Sequence, residues 1–261
     1  MSYWKFLFLV IFLYSFPLYA QNSSISSFNK AKKILKEQVY FDNKESFYCK
    51  ARFDENNDIT LPQGFYTEKH KKRAARLEWE HVVPAENFGK AFTEWRNGHE
   101  KCVDTKGKPF KGRKCAEKVN LTFRFMLADL YNLYPSIGAV NAMRSNYNYA
   151  ELSDKIPNLF GSCSVKIDGK KIEPPTYTKG AIARTYLYFD SEYPQYKMSS
   201  SMRKMMLAWD KMYPVDQWEC TRAQRIEKIQ GNPNIFVKNA CIQLGLYKLP
   251  IISPTKLVMK R

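Results

Sequence analysis

Six cysteines constrain this 261-residue chain more than any other feature of its sequence: Cys49, Cys102, Cys115, Cys163, Cys220 and Cys241. None of them forms a C-x-x-C pair, which leaves a structural zinc site with little support. An even number of cysteines in an exported chain favours disulfides. Six cysteines allow fifteen pairings, and the sequence does not choose among them. The pairing we expect joins Cys102 with Cys115 around a Lys/Gly-rich loop, Cys220 with Cys241, and Cys49 with Cys163.

Residues 1–20 have the order of a secretory signal peptide. The early cation Lys5 precedes an apolar run over residues 6–16, and Pro17 and the small residue Ala20 follow. We therefore expect cleavage after Ala20, a periplasmic or secreted protein, and a mature form that does not contact the membrane. An uncleaved anchor is the alternative, although Lys5 and Pro17 interrupt the roughly 20 apolar residues that a bilayer span needs.

Residues 21–261 mix helical and strand periodicities, without an internal repeat or a Gly/Ser linker, so we predict a single compact α+β domain. Helices are predicted over residues 26–39, 180–189, 199–213 and 219–229, and a hairpin turn at Asp168-Gly169. A further helix is predicted from the spacing of Leu121, Phe125, Ala128 and Asn132, with Pro135 as its stop. Residues 136–149 are predicted to be a loop.

The formal charge of +17 suggests an anionic partner, either nucleic acid or an anionic membrane surface, and charge alone leaves a basic surface without such a partner as an equal alternative. Two segments concentrate this charge, KHKKRAAR at residues 69–76 and KGKPFKGRK at residues 106–114. No G-x-x-x-x-G-K-[ST] loop, G-x-G-x-x-G turn or G-x-S-x-G elbow is present. Without these motifs, metal-assisted or acid–base chemistry remains as the candidate type of catalysis.

The stretch LEWEHVVPAENFG at residues 77–89 holds the strongest candidate for such chemistry. Alternating apolar residues predict a strand that Pro84 ends. A neutral imidazole such as that of His81 can accept a proton from water, and the neighbouring Glu80 can hold Mg²⁺. The residues alone leave open whether His81 is catalytic or packs in the core. Adjacent strand residues point to opposite faces, so we expect irregular backbone at Glu80 and His81 if both serve one site.

This stretch, with WRNG after it, resembles the bacterial endonuclease I family of periplasmic and secreted nucleases. The similarity continues through FKGRKCAEKVN, ADLYNLYPSIGAVNAMRSNYNY, FGSC, EPP and KGAIARTYLYFD, and so spans most of the mature chain. The resemblance implies a ββα-metal core, in which a pair of strands and a helix bind one divalent ion. Helices would surround that core, and disulfides would support it.

The resemblance also implies roles for individual residues. His81 would be the general base, and Glu80 and Asn132 would bind Mg²⁺, with Mn²⁺ or Ca²⁺ as alternative ions. Arg96 and Arg144 are the candidates for the arginine that stabilises the phosphate charge, although a structural salt bridge is an equal alternative for each. The basic segments offer Lys71, Lys72, Arg73, Arg76, Lys111 and Arg113 as nucleic-acid contacts.

The function that the resemblance implies is sequence-non-specific, Mg²⁺-dependent hydrolysis of single- and double-stranded DNA by a monomer. RNA is a further candidate substrate, and the products would carry 5′-phosphate ends. Two other classes of protein remain as alternatives. One is a cationic nucleic-acid-binding protein of the cell envelope without catalysis, and the other is a cationic protein held at an anionic membrane by its N-terminus.

Overall fold

A computed structural model describes residues 21–247, so the signal peptide expected at residues 1–20 lies outside the described residues. The helices are α1 (Phe28–Ile34, continued by a π-helical turn, Leu35–Val39), α2 (Lys71–Ala74), α3 (Ala85–Gly89), α4 (Thr93–Arg96), α5 (Arg113–Val119), α6 (Leu121–Leu127), α7 (Gly138–Arg144), α8 (Lys179–Glu192), α9 (Ser200–Met212), α10 (Gln217–Gln230) and α11 (Ile235–Gln243). The strands are β1 (Arg52–Phe53), β2 (Ile59–Thr60), β3 (Leu77–His81), β4 (Leu133–Ile137), β5 (Asn148–Tyr149), β6 (Lys166–Asp168) and β7 (Lys171–Glu173). Over residues 21–247, no helix is long and apolar enough to cross a bilayer.

A ββα unit lies at the centre of this α+β arrangement. Strands β3 and β4 pair antiparallel in unbroken register from Leu77↔Ile137 to His81↔Leu133. Helix α7 follows β4 directly and packs against both strands. Gly138 also permits the close approach of α7 to α2, since a Cβ there would lie 2.5 Å from the carbonyl oxygen of Arg73. The unbroken register means that the expected irregularity at Glu80 and His81 is wrong.

The long helix predicted to run up to Pro135 is also wrong. It is divided into α5 and α6, which ends at Leu127, followed by a 3₁₀ turn at Leu130–Asn132 and then by β4. The buried carboxylate of Asp129 caps that turn and accepts hydrogen bonds from the hydroxyls of Tyr188 and Tyr193. Local spacing favoured a helix, but these distant partners fix a turn in its place.

Residues 136–149, predicted to be a loop, instead contain α7. Gly138 and Asn141, which suggest a loop here, provide close packing and a polar contact of this short helix.

The other predicted elements are confirmed. The segment at residues 26–39 is helical, with the Ser27 hydroxyl accepting a hydrogen bond from the Lys30 amide as its N-cap. Strands β6 and β7 form the predicted hairpin, and α8, α9 and α10 cover the three predicted C-terminal helices. All three expected disulfides form, joining Cys49 to Cys163, Cys102 to Cys115, and Cys220 to Cys241.

Candidate active site

A cleft of about 730 Å³ runs along β3, with residues of α1 and α7 and Arg113 of α5 in its walls. Within residues 21–247, β4 is the sole strand paired with β3, and every residue of β3 lines this cleft. Side chains of both faces of a strand can be reached from its edge. Glu80 and His81 therefore line the same cleft from a regular strand, although their side chains leave it on opposite faces.

His81 is buried, and its imidazole is held in one orientation. Its Nε2 lies 2.9 Å from the carbonyl oxygen of Leu127, and because a carbonyl only accepts, Nε2 carries the proton. Nδ1 then has the free lone pair, and it makes no hydrogen bond within residues 21–247. Burial, together with the positive charges of Arg113 and Arg144, lowers the pKa of His81 to about 3. The imidazole is consequently neutral at neutral pH, the state that a proton acceptor requires.

Glu80 is 1% exposed and is held by two side chains on its Oε1. Arg144 Nη1 lies 2.9 Å away, and the Tyr48 hydroxyl donates a hydrogen bond of 3.2 Å. Burial raises the pKa of Glu80 to about 7, and Arg144 and Tyr48 oppose that rise. Its second oxygen, Oε2, makes no hydrogen bond to any residue between 21 and 247. Glu80 thus offers the cleft one unengaged hard oxygen.

Asn132 and Asn141 differ in what their amides contact. Asn132 is fully buried, and both ends of its amide bind the backbone of Val83: Oδ1 accepts from the Val83 amide at 2.7 Å, and Nδ2 donates to the Val83 carbonyl at 3.0 Å. Asn141 lines the cleft, where its Nδ2 donates to Glu78 at 2.8 Å. Its Oδ1 makes no hydrogen bond within the described part of the chain. Of these two asparagines, Asn141 therefore has the amide oxygen that is available to a cleft ligand, and the sequence analysis did not select it.

Both arginines expected at the phosphate contact the protein itself, and only Arg144 lines the cleft. Arg96 is exposed and donates to the Lys90 carbonyl, outside the cleft lining. Arg144 is buried and binds Glu80 and the carbonyls of His81 and Val82. Its contacts hold the end of β3 to α7.

Arg113, expected as a nucleic-acid contact, is the arginine that lines the cleft without an ion pair or hydrogen bond to residues 21–247. Its signal in the sequence is its place in the basic loop closed by the Cys102–Cys115 disulfide.

The other basic candidates are spread more widely. Lys71, Lys72 and Lys111 are exposed and lie outside the cleft lining, and Arg73 and Arg76 pair with Glu78. Three lysines that the sequence reasoning did not select do line the cleft: Lys32, Lys33 and Lys36 of α1. Their spacing on a predicted amphipathic helix was the available signal.

The donors in the cleft suit a hard divalent cation. Among residues 21–247, no group of three or more His, Cys, Asp and Glu side chains could hold a metal. Glu80 and Asn141 nevertheless bring a carboxylate oxygen and an amide oxygen without hydrogen bonds to the same cleft. Mg²⁺ prefers oxygen ligands and keeps several waters, so two protein ligands are sufficient for it.

Comparison with known proteins connects the chain to one family. Residues 19–241 match the Endonuclease I family. The chain is 37% identical over 230 residues to Endonuclease-1 of Buchnera aphidicola subsp. Acyrthosiphon pisum (strain APS), covering 85% of each chain. It is 37% identical over 236 residues to a periplasmic deoxyribonuclease of Aeromonas hydrophila, covering 88% of this chain and 92% of that one. An extracellular deoxyribonuclease of the same species is also 37% identical, with 94% of it covered.

Proposed function

The chain belongs to the endonuclease I family and is a nuclease, and from this premise we propose that it is an exported, monomeric endonuclease that hydrolyses DNA without sequence specificity. Relatives named as periplasmic and extracellular deoxyribonucleases support export and DNA as the substrate. The cations of the cleft support non-specific cleavage, because phosphate contacts carry no sequence information.

His81 is the general base of the proposed reaction, and its fixed tautomer is the observation that carries the proposal. The Leu127 carbonyl keeps the proton on Nε2, so Nδ1 can take a proton from the attacking water. The low pKa of His81 keeps the imidazole neutral before substrate binds, and the negative charge of an approaching phosphodiester stabilises its protonated form. Removal of Nδ1 should therefore stop hydrolysis while DNA binding is retained.

Glu80 and Asn141 are the ligands we propose for Mg²⁺, and Asn141 replaces Asn132 in that role. Bound Mg²⁺ supplies neutralisation of phosphate charge and help for the leaving 3′ oxygen. Arg144 and Tyr48 hold the Glu80 carboxylate in place from one side and leave Oε2 unengaged. Arg113 has free N–H donors in the cleft, which suits it to bind the scissile phosphate.

A plasmid-nicking assay tests this proposal. Purified mature protein should nick supercoiled plasmid in Mg²⁺ and lose that activity in EDTA, and ligation of the products should show 5′-phosphate ends. His81→Ala should abolish nicking while retaining DNA binding, whereas His99→Ala, which changes an exposed histidine, should cleave normally. Full activity of His81→Ala would contradict the proposed base. The same assay on RNA determines whether RNA is also a substrate.

A further inference from the structure

Phe28, the first residue of α1, contacts two of the groups to which the proposed function assigns roles. Its ring centroid lies 5.0 Å from that of the His81 imidazole, with 32° between the ring planes. The Arg113 guanidinium carbon lies 5.1 Å from the Phe28 ring centroid, and Lys32 Nζ lies 4.8 Å from it. One half-buried ring in the cleft wall therefore touches the base, the phosphate arginine and a cleft lysine.

The contact with His81 restricts a rotation that the hydrogen bond leaves possible. A single bond from Nε2 to the Leu127 carbonyl fixes one atom of the imidazole, but the ring can still tilt about it. The Phe28 ring packs against the imidazole and opposes that tilt. The direction of the Nδ1 lone pair consequently depends on Phe28 as well as on Leu127.

The contact with Arg113 has a second consequence. A carboxylate partner would orient this guanidinium but would also occupy its N–H donors and neutralise its charge. An aromatic face attracts the cation and leaves the N–H groups free. Arg113 has no ion pair or hydrogen bond to the residues between 21 and 247, so its ring contact orients it without using those donors.

We propose that Phe28 is a positioning residue for phosphodiester hydrolysis. It keeps the His81 imidazole from tilting and holds the Arg113 guanidinium over the cleft. This inference rests on the proposed function. Phe28 makes no proton transfer itself and acts through the two residues that it touches. Its loss should therefore reduce kcat, while KM should change little because many phosphate contacts share the binding of DNA.

Single-turnover and steady-state cleavage of DNA by four variants tests the proposal. Phe28→Leu should lower kcat about tenfold, as expected for loss of a partly desolvated cation–π contact, with KM unchanged within about twofold. Phe28→Tyr keeps the aromatic ring and should have the kcat of the unsubstituted protein. Phe28→Met replaces Phe28→Leu if thermal unfolding shows that the leucine variant does not fold. The control is Phe41→Leu, which removes an exposed ring that stacks on Arg225 outside the cleft, and it should leave kcat unchanged.

A double-mutant cycle with Arg113→Ala separates positioning from a general loss of packing. If Phe28 acts partly through Arg113, Phe28→Leu should cost less than about tenfold in the Arg113→Ala background. The inference would be overturned if the kcat losses of Phe28→Leu and Arg113→Ala simply multiplied in the double variant. It would also be overturned if Phe28→Tyr lowered kcat as much as Phe28→Leu, or if Phe28→Leu had the same kcat as the Phe41→Leu control. Absence of DNA cleavage by the unsubstituted protein would instead overturn the proposed function.

Discussion

Two asparagines beside β3 make different contacts, and replacing each with alanine separates a structural role from metal binding. Asn132→Ala removes both hydrogen bonds to Val83 and leaves a backbone donor and acceptor unsatisfied in a fully buried site. Each such group costs about 1–3 kcal/mol, so we expect a loss of about 3 kcal/mol or more in the free energy of unfolding. For a domain of this size, that corresponds to a fall in Tm of about 6–12 °C.

Asn141→Ala should have the opposite profile. It removes one half-buried hydrogen bond to Glu78, and Glu78 retains its pairs with Arg73 and Arg76, so the stability cost should stay below about 1 kcal/mol. It also removes the amide oxygen that we assign to Mg²⁺. We therefore expect at least about tenfold weaker Mg²⁺ binding and a matching loss of cleavage.

Thermal unfolding without metal and calorimetric titration of Mg²⁺ measure the two effects separately. Aspartate variants sharpen the comparison. Asn141→Asp keeps an oxygen in the cleft and should retain Mg²⁺ binding, whereas Asn132→Asp buries a carboxylate beside the Val83 carbonyl and should destabilise the fold further. The assignment would be reversed, and the reasoning refuted, by the opposite result. In that case Asn132→Ala would keep its Tm but lose Mg²⁺ binding, and Asn141→Ala would keep its Mg²⁺ affinity.

Three further predictions concern the charges of the cleft. Arg144→Met leaves the Glu80 carboxylate buried without its cation and should cost about 3–5 kcal/mol in urea unfolding; an unchanged midpoint would contradict this. Because the raised pKa of Glu80 keeps it protonated below about pH 7, Mg²⁺ affinity should rise about tenfold from pH 6 to pH 8 in calorimetry, and a flat profile would refute it. Replacing Lys32, Lys33 and Lys36 with glutamine should reduce the slope of log K for DNA binding against log salt concentration by about 0.9 per lysine. Replacing three exposed lysines outside the cleft lining should leave that slope unchanged.

The sequence predicted well wherever local pattern and local chemistry agree. The hairpin of β6 and β7 follows from a turn between short apolar segments, and α8 to α10 follow from helical spacing. His81 stood out because few residues can act as a base at neutral pH.

The failures occurred where distant groups override local preference. Arg222 donates to the carbonyls of Leu130 and Leu133 at 2.8 and 3.0 Å, which satisfies acceptors that a continuing helix would otherwise use. Asp129 likewise binds tyrosines that lie roughly sixty residues away in the chain. Helical periodicity alone carries no information about these partners, so it extended a helix through Asn132.

The sequence by itself determined which residues this protein has: an N-terminal segment with the order expected of a signal peptide, an excess of basic residues, six cysteines and a histidine beside a carboxylate. Tertiary structure decided which of these residues meet. It engaged Asn132 and Arg144 with the protein itself and turned Asn141, Arg113 and Phe28 toward one cleft. The reason is physical: a side chain can bind substrate or metal only if its polar atoms are not already satisfied by the fold, and that depends on neighbours from distant parts of the chain.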